Sequence, residues 1–457
     1  MASNHYNNRQ MEASVEAIAI KARKAALSFQ GCSTKKKNEA LQVMKEKILS
    51  AKESILEANQ KDIAAAQEQN LETPLLKRLD LSSSGKFESL LQGITAVQNL
   101  EDPVGKVTLA TELDQGLELY RVSCPLGVLC IIFESRPDAA VQISSLAIKS
   151  SNAVILKGGK EAEGTNRALV GCIQDSLKSV NLPADVVQLV STREEIKSLL
   201  ALEQYIDMVI PRGSNSLVRY IKDNTKIPVM GHADGICAVY VDKDADERKA
   251  IDIVLDSKTQ YPAVCNATET LLIHRQLLPN IFPKIASVLF ERGVLMKCDE
   301  ESMKALPYGI TAEVAQETDY ITEFLNFTIA IKTVGDVKEA IEHINNHGSG
   351  HTDCIVTEDK EARDLFFALV DSAGVYHNAS TRFADGFRYG FGAEVGVSTN
   401  KIHARGPVGL EGLLIYKYRL YGNGHTVGPY AKGEKQLMHK TIVPEYRPNW
   451  EKTRNDE

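Results

Sequence analysis

The pattern of apolar and polar positions changes character once along the chain. Residues 11 to 99 follow helical spacing: Leu41, Met44 and Ile48 form an i, i+3, i+7 stripe with lysines and glutamates between them. Charge in this region marks solvated faces, and no internal repeat or low-complexity tract interrupts it. From Gly105 the pattern switches. Thr108 to Cys124 reads as an extended hairpin turning at Asp114-Gln115-Gly116. Leu126 to Phe133 is a continuous apolar run rich in β-formers, followed by a helix with Pro137 near its start, a favoured place for proline. Further strands are expected at Ser151 to Leu156, Val186 to Val190, Tyr205 to Ile210, Ile227 to Met230 and Ile236 to Val241, most of them alternating with helices. Strands that are nearly all apolar and alternate with helices imply a parallel sheet covered on both faces, hence an α/β fold. Such sheets bind ligands beyond the carboxyl ends of their strands.

A second βα set begins at Cys265 and runs to about residue 400. Its expected strands are Thr328 to Val334, Asp353 to Val356 and Gly374 to Tyr376, with a helix over Val337 to Asn346. The segment Asn378 to Gly412 is dense in glycine and charge and has few helix or strand cues. A loop of that length inside a compact domain is usually functional. The tail after Gly422 is polar and expected to be peripheral.

Size and composition narrow the classes. With 457 residues the chain needs two or three domains. Its 60 acidic and 53 basic residues argue against a general binder of nucleic acid or anionic membranes, while leaving room for a local basic pocket. The eight cysteines (32, 124, 130, 172, 237, 265, 298 and 354) form no C-x-x-C pair, so neither a zinc ribbon nor a thioredoxin-like site is indicated. The first ten residues hold no apolar signal core, and no run reaches the ~18 apolar residues of a membrane span. Free thiols in a reducing, cytoplasmic setting are the expectation.

The chemistry is expected in Ser257 to Ile273, S-K-T-Q-Y-P-A-V-C-N-A-T-E-T-L-L-I. The helical pattern breaks at Pro262, presents Cys265 and runs into an apolar strand. A thiolate at such a mouth can attack a carbonyl while backbone N–H groups hold the oxyanion. The competing reading is a buried, inert thiol. Gly213-Ser214-Asn215 follows a strand and opens a helix, where free N–H groups favour phosphate. Lys157, at a strand end beside two glycines, suits a ribose or phosphate, or else simply solvent. Gly390-x-Gly392 lacks the preceding strand and spacing of a dinucleotide turn. His343, His347 and His351 are spaced four apart, but Gly348 and Gly350 end the helix before the third, so the pattern reads as a polar helix end and no metal is assigned. There is no H-E-x-x-H and no G-x-S-x-G. Arg382, Asp385, Arg388, Glu394, Lys401, His403 and Arg405 crowd one loop, as a substrate with carboxylate or phosphate groups would require; a salt-bridged surface is the alternative.

The strings Y-P-A-V-C-N-A-T-E-T-L-L, I-F-E-S-R-P (132–137), V-I-L-K-G-G-K-E-A (154–162), I-P-R-G-S-N-S-L-V (210–218), G-H-A-D-G-I-C (231–237), T-R-F-A-D-G-F-R-Y-G-F-G-A-E-V-G (381–396) and K-I-H-A-R-G-P-V-G-L (401–410) closely resemble the γ-glutamyl phosphate reductase family of the aldehyde dehydrogenase superfamily. The resemblance runs from about residue 11 to 420. It implies two Rossmann-like parallel-sheet domains and a small β oligomerisation flap: a cofactor domain over 1–106 and 125–256, a catalytic domain over 257–412, oligomerisation elements at 107–124 and 413–435, and a polar tail over 436–457. It implies reduction of L-glutamyl 5-phosphate by NADPH to glutamate 5-semialdehyde and phosphate, the second step of proline synthesis from glutamate.

Carried onto this chain, the resemblance makes Cys265 the nucleophile and thioester carrier, with Ser135 near the oxyanion position and Asn266 and His232 as weaker candidates. Lys157 would meet the adenine ribose and its 2′-phosphate, Gly213 and Ser214 the pyrophosphate, and Glu323 the nicotinamide ribose. Arg136, Arg382, Arg405 and His403 would receive substrate anions. Gly231 lies near the place where oxidising relatives carry a hydrolytic glutamate, and a reductase gains nothing from such a base. A homodimer or higher homo-oligomer is expected, because hairpin edges pair readily. A separate glutamate kinase is the candidate docking partner, since docking would shelter the labile acyl phosphate. The rivals are a hydrolytic semialdehyde dehydrogenase of the same superfamily, which needs the base missing near Gly231, a non-catalytic scaffold, which needs no intact cysteine loop, and a nucleic-acid binder, which lacks its basic face.

Overall fold

The structure, a computed structural model, describes residues 2–83, 85–190, 194–232 and 234–443. The end of the tail expected over 436–457 lies outside the described residues from 444 onward. The chain divides into two compact units. One comprises 1–230, 391–396 and 408–457, and the other 231–390 and 397–407.

The first unit opens with the helices expected over its N-terminal hundred residues: Ala2–Phe29, Thr34–Ser50, Lys52–Glu68, Thr73–Leu79 and Lys86–Asn99. Ser33 caps the second, its hydroxyl accepting from the Lys36 N–H at 3.2 Å. The stripe Leu41, Met44 and Ile48 is fully buried. Lys37 is buried with it, against the expectation that charge here is solvated. Its ammonium pairs with Asp102 at 2.5 Å and donates to the Lys149 carbonyl at 3.0 Å, the partners a buried charge needs.

The sheet of this unit is parallel, in the order Val187–Val190, Ala153–Lys157, Val128–Phe133, Met208–Arg212. Val128–Phe133 and Ala153–Lys157 are buried along their whole length, which is why they read as unbroken apolar runs. The strand expected at Ile227 to Met230 shrinks to one bridge between Val209 and Val229. Pro228, which has no N–H, accepts only from Val209.

The hairpin forms as Val107–Asp114 and Leu117–Pro125, turning through Gly116 at φ 72°. Leu414–Tyr421 adds antiparallel to its second strand, and Lys440–Thr441 pairs with its first. The segment read as a polar, peripheral tail therefore contributes backbone pairing up to residue 441. Among the described residues Leu414–Tyr421 has a partner on one side only. Ile415, Tyr416, Tyr418, Leu420 and Tyr421 along it are between 40% and 58% exposed.

The second unit is a seven-stranded, wholly parallel sheet in the order Glu313–Val314, Leu295–Cys298, Thr328–Val334, Thr268–His274, Cys237–Val241, Thr352–Val356, Gly374–His377. Alternation assigns the faces. Val239, Val241, Leu271 and Ile273 pack with Val254 and Ile285, and Ala238, Tyr240 and Leu272 pack with Ile341 and Phe366. The boundary expected after residue 256 moves forward. Cys237–Val241 pairs with Thr268–His274, and the helix Glu247–Thr259 packs on that sheet. Apolar character alone cannot say which of two sheets a strand joins.

Candidate active site

Cys265 is presented by a tight turn. The Ala267 N–H donates to the Val264 carbonyl at 3.1 Å, leaving Cys265 and Asn266 as the central residues before Thr268–His274 begins. In the second sheet that strand lies beside Cys237–Val241, which lies beside Thr352–Val356. His232 stands five residues before the second of these strands and His351 one before the third. Three neighbouring parallel strands thus deliver a thiol and two imidazoles to their amino ends, and one ring nitrogen of each histidine and the Cys265 Sγ all lie within 4.8 Å of one another. The expectation that ligands gather at carboxyl ends does not hold for this sheet.

The two rings meet edge to face, 5.0 Å between centroids. His232 Nδ1 lies 2.9 Å from the Val397 carbonyl, which can only accept, so that nitrogen carries the hydrogen. His351 is fully buried, its Nδ1 3.0 Å from the Thr352 hydroxyl and its Nε2 without a hydrogen-bond partner. Cys265 is partly exposed. The Cys237 thiol donates to the Cys265 carbonyl at 3.2 Å. Burial, reinforced by the Asp353 carboxylate, pushes Cys237 far above the ordinary thiol range, so it props the turn and does not compete as a nucleophile.

Gly235 seals the back of the turn. A Cβ there would lie 2.3 Å from the Cys265 carbonyl oxygen and 2.4 Å from its Cα. Gly235→Ala is therefore expected to displace the thiol, costing about 1–3 kcal/mol of stability in urea unfolding and at least about tenfold in turnover. An alanine variant with unchanged rate would show that the close packing is unnecessary.

The loop after Gly374–His377 is knit to the turn: Thr381 Oγ1 donates to the Asn266 carbonyl at 2.7 Å, and the Thr381 N–H to Ser257 Oγ at 3.2 Å. That places Arg382, 8% exposed, with its Nε donating to Gln260 at 2.9 Å. Burial and then Arg388 lower its pKa, against the pull of Cys265, so a second positive group faces the same region. Asn266 donates to the Ala384 carbonyl at 2.9 Å, and its own Oδ1 has no partner. Lys258 and Glu269 form a wholly buried pair at 2.6 Å, and the Leu325 N–H donates to Glu269 at 3.1 Å. Burial pushes Glu269 up to about 7, and the charge of Glu323 adds to it, so Glu323 sits within electrostatic reach of that pair. Arg405 and Lys401 both engage Asp371, and His403 is exposed at φ 75°. Lys401, Arg405 and Asp371 form a surface ion cluster apart from the Cys265 turn's own hydrogen bonds.

In the first unit, Lys157 closes its strand, 4% exposed, with its ammonium on the Gly158 carbonyl. Phe133 pairs with Arg212 in the neighbouring strand, so Glu134 and Gly213-Ser214 emerge together at the carboxyl ends. The Ser214 N–H, at the start of Asn215–Asp223, donates to Glu134 at 2.8 Å. A carboxylate there marks the position as one that takes an anion. A Cβ on Gly213 would lie 2.4 Å from the Glu134 carboxylate, so that side chain would have to shift. Ser135, at φ 47°, gives both its N–H and its hydroxyl to Glu161, at 2.6 and 2.7 Å. Arg136 occupies the N-cap position of Pro137–Lys149, with no capping hydrogen bond from its side chain.

Sequence reasoning missed His351. The four-residue spacing drew it toward His343 and His347, but those two stack on their helix at 4.1 Å while His351 starts a strand. A histidine immediately before an apolar strand was the available signal, and it needed the strand order to acquire meaning.

Comparison with known proteins follows this geometry. The aldehyde dehydrogenase family model matches residues 6–303. The γ-glutamyl phosphate reductase of Acetivibrio thermocellus is 51% identical over 433 residues, covering 95% of this chain and 99% of its own. The probable γ-glutamyl phosphate reductase of Schizosaccharomyces pombe is 51% identical over 439 residues, 94% of this chain and 97% of its own. The crystal structure of γ-glutamyl phosphate reductase from Thermotoga maritima superimposes with a TM-score of 0.87 at 37% identity, covering 90% of this chain and 99% of that one. An acetylating aldehyde dehydrogenase from Geobacillus thermoglucosidasius, 16% identical with a TM-score of 0.62, shares the fold.

Proposed function

The chain belongs to the aldehyde dehydrogenase family and, within it, to the γ-glutamyl phosphate reductases, and from that membership we propose that Cys265 is the acyl carrier through which it reduces L-glutamyl 5-phosphate to L-glutamate 5-semialdehyde in proline biosynthesis. The observation that supports this most is the partly exposed thiol with two imidazoles beside it, all within 4.8 Å of one another.

The chemistry runs as an acyl transfer. The thiol proton passes to a ring nitrogen of His351 or His232, and the sulfur attacks the acyl phosphate carbonyl. The bond from that carbon to the phosphate oxygen breaks, phosphate leaves, and a thioester remains. The N–H groups of Cys265 and Asn266, central in the turn, receive the oxyanion, since Ala267 gives its N–H to Val264 and Ser135 spends both donors on Glu161. Arg382 receives a substrate anion, supported by its burial beside the turn. The nicotinamide cofactor supplies, when bound, the hydride that releases the aldehyde and returns the thiolate. A water-activating carboxylate would waste the activated acyl group, and Gly231 lies near the place where oxidising relatives carry one.

NADPH is the cofactor we assign. Lys157 would hold the 2′-phosphate and the Ser214 N–H the pyrophosphate once Glu134 turns aside, and Glu323 would hold the nicotinamide ribose. Lys157→Ala is expected to raise KM for NADPH about 10- to 100-fold, the worth of one charge-assisted hydrogen bond, with KM for NADH little changed. Equal effects on both would contradict the assignment.

The edge strand Leu414–Tyr421 is the surface on which a second copy of the chain would pair. Tyr418→Lys with Leu420→Glu is expected to yield monomers in light scattering, and an unchanged assembly would remove this edge from the interface. Among the described residues no helix is long and apolar enough to cross a membrane. From the family membership we assign the work to the cytoplasm, with a glutamate kinase as the docking partner. The reaction itself is tested in reverse: NADP reduction by glutamate semialdehyde should require inorganic phosphate, whereas phosphate-independent oxidation would indicate hydrolysis.

A further inference from the structure

The same three side chains have a donor chemistry that acyl transfer does not use. We infer that Cys265, His232 and His351 form a capture site for a thiophilic divalent cation, zinc above all, that silences the enzyme by taking its sulfur. The inhibitory consequence rests on the acyl-transfer reading, but the binding does not.

The donor set is one sulfur and two imidazole nitrogens, all within 4.8 Å of one another. In tetrahedral zinc sites with bonds of roughly 2.0–2.3 Å, ligand atoms lie about 3.5 Å apart, so a contraction of about 1 Å completes the geometry. Hydrogen bonds already constrain both rings. His232 gives its Nδ1 hydrogen to the Val397 carbonyl, which fixes its tautomer with the lone pair on the opposite nitrogen. His351 has Nδ1 against the Thr352 hydroxyl, while its Nε2 is buried without a partner in a residue with no exposed surface. A buried polar nitrogen left in that state costs about 1–3 kcal/mol, which a bond to a cation would relieve.

The chemical class follows from the donors. Sulfur with two imidazoles selects zinc, cobalt and their soft neighbours over calcium and magnesium, which need oxygen ligands. Cys265 remains partly exposed, so the fourth position opens to water or to a substrate carboxylate. Capture replaces the S–H bond by a sulfur–metal bond and releases that proton to solvent. The sulfur electrons that would attack the acyl phosphate are then engaged by the metal. Arg382, which feels the charge of Cys265, opposes the incoming cation and sets the affinity below that of a structural zinc site.

The test uses the reduced, chelator-treated full chain and Co2+ as the probe. One equivalent of Co2+ should produce a thiolate-to-cobalt charge-transfer band that Zn2+ bleaches. Cys265→Ala should abolish the band, and His351→Ala should weaken cobalt binding at least about tenfold. In the wild-type chain, Zn2+ should protect Cys265, located by peptide mass spectrometry, from iodoacetamide, which needs no variant to fold. Inhibition by Zn2+ should be reversed by chelator. A missing band, a band that survives Cys265→Ala, or alkylation of Cys265 at an unchanged rate under Zn2+ overturns the proposal. Band and protection in a chain that fails to turn over glutamyl phosphate would uphold the metal site and reject the enzymatic reading, so the two failures are separable.

Discussion

Cys265→Ser is expected to lose phosphate-dependent turnover by at least about 10^4-fold, the scale seen when a covalent nucleophile is removed. The change is small in volume and falls on a partly exposed side chain, so unfolding free energy should move by under about 1 kcal/mol. Binding of NADPH, followed by its fluorescence, should persist. Serine keeps the position and the hydrogen-bonding hydrogen but lacks a group that ionises easily, so loss of rate with fold and cofactor binding intact isolates the sulfur. A serine variant within tenfold of wild type would rule out the thioester route, whatever the family membership.

Glu269→Gln is expected to be the most damaging substitution for stability in the second unit. Lys258 and Glu269 have no exposed side-chain surface and meet at 2.6 Å. Burial pushes Glu269 up to about 7 and Lys258 down from the ordinary lysine range, each opposed by the other's charge. Removing the carboxylate strands an ammonium in the core, which costs about 3–5 kcal/mol. Lys258→Met with Glu269→Leu should recover most of that in urea unfolding, because the pair's two desolvation costs vanish together. The single Lys258→Met variant carries a sign. A carboxyl whose folded pKa is raised lends stability below its unfolded value near 4.5 and loses it as pH rises through about 7. Without its cation Glu269 rises further, so this variant should be weaker at pH 8 than at pH 5. A cost under about 1 kcal/mol for Glu269→Gln would show that water reaches the pair.

Much of the fold was legible because it rests on local chemistry. The run Val128–Phe133 is apolar throughout because both faces of a parallel strand are covered. The hairpin was marked by Gly116. The sheet to which Cys237–Val241 belongs was not legible, since the same residues suit either sheet. Within the site, Cys265 announced itself through Pro262 and the strand that follows, and the resemblance strengthened that reading. His351 and Gly235 did not. The first depends on the order of three strands distant in sequence, and the second on a backbone approach that no spacing records. Lys37 read as a solvent charge because a sequence shows a lysine but not the carboxylate folded against it.

The central claim is that one sulfur holds the glutamyl group between phosphate and aldehyde. Its most direct test is intact and peptide mass spectrometry of the chain mixed with L-glutamyl 5-phosphate without NADPH. A glutamyl adduct on Cys265, discharged as semialdehyde when NADPH is added, is the result this account requires. An unmodified Cys265 in a chain that still produces the semialdehyde with NADPH would contradict it.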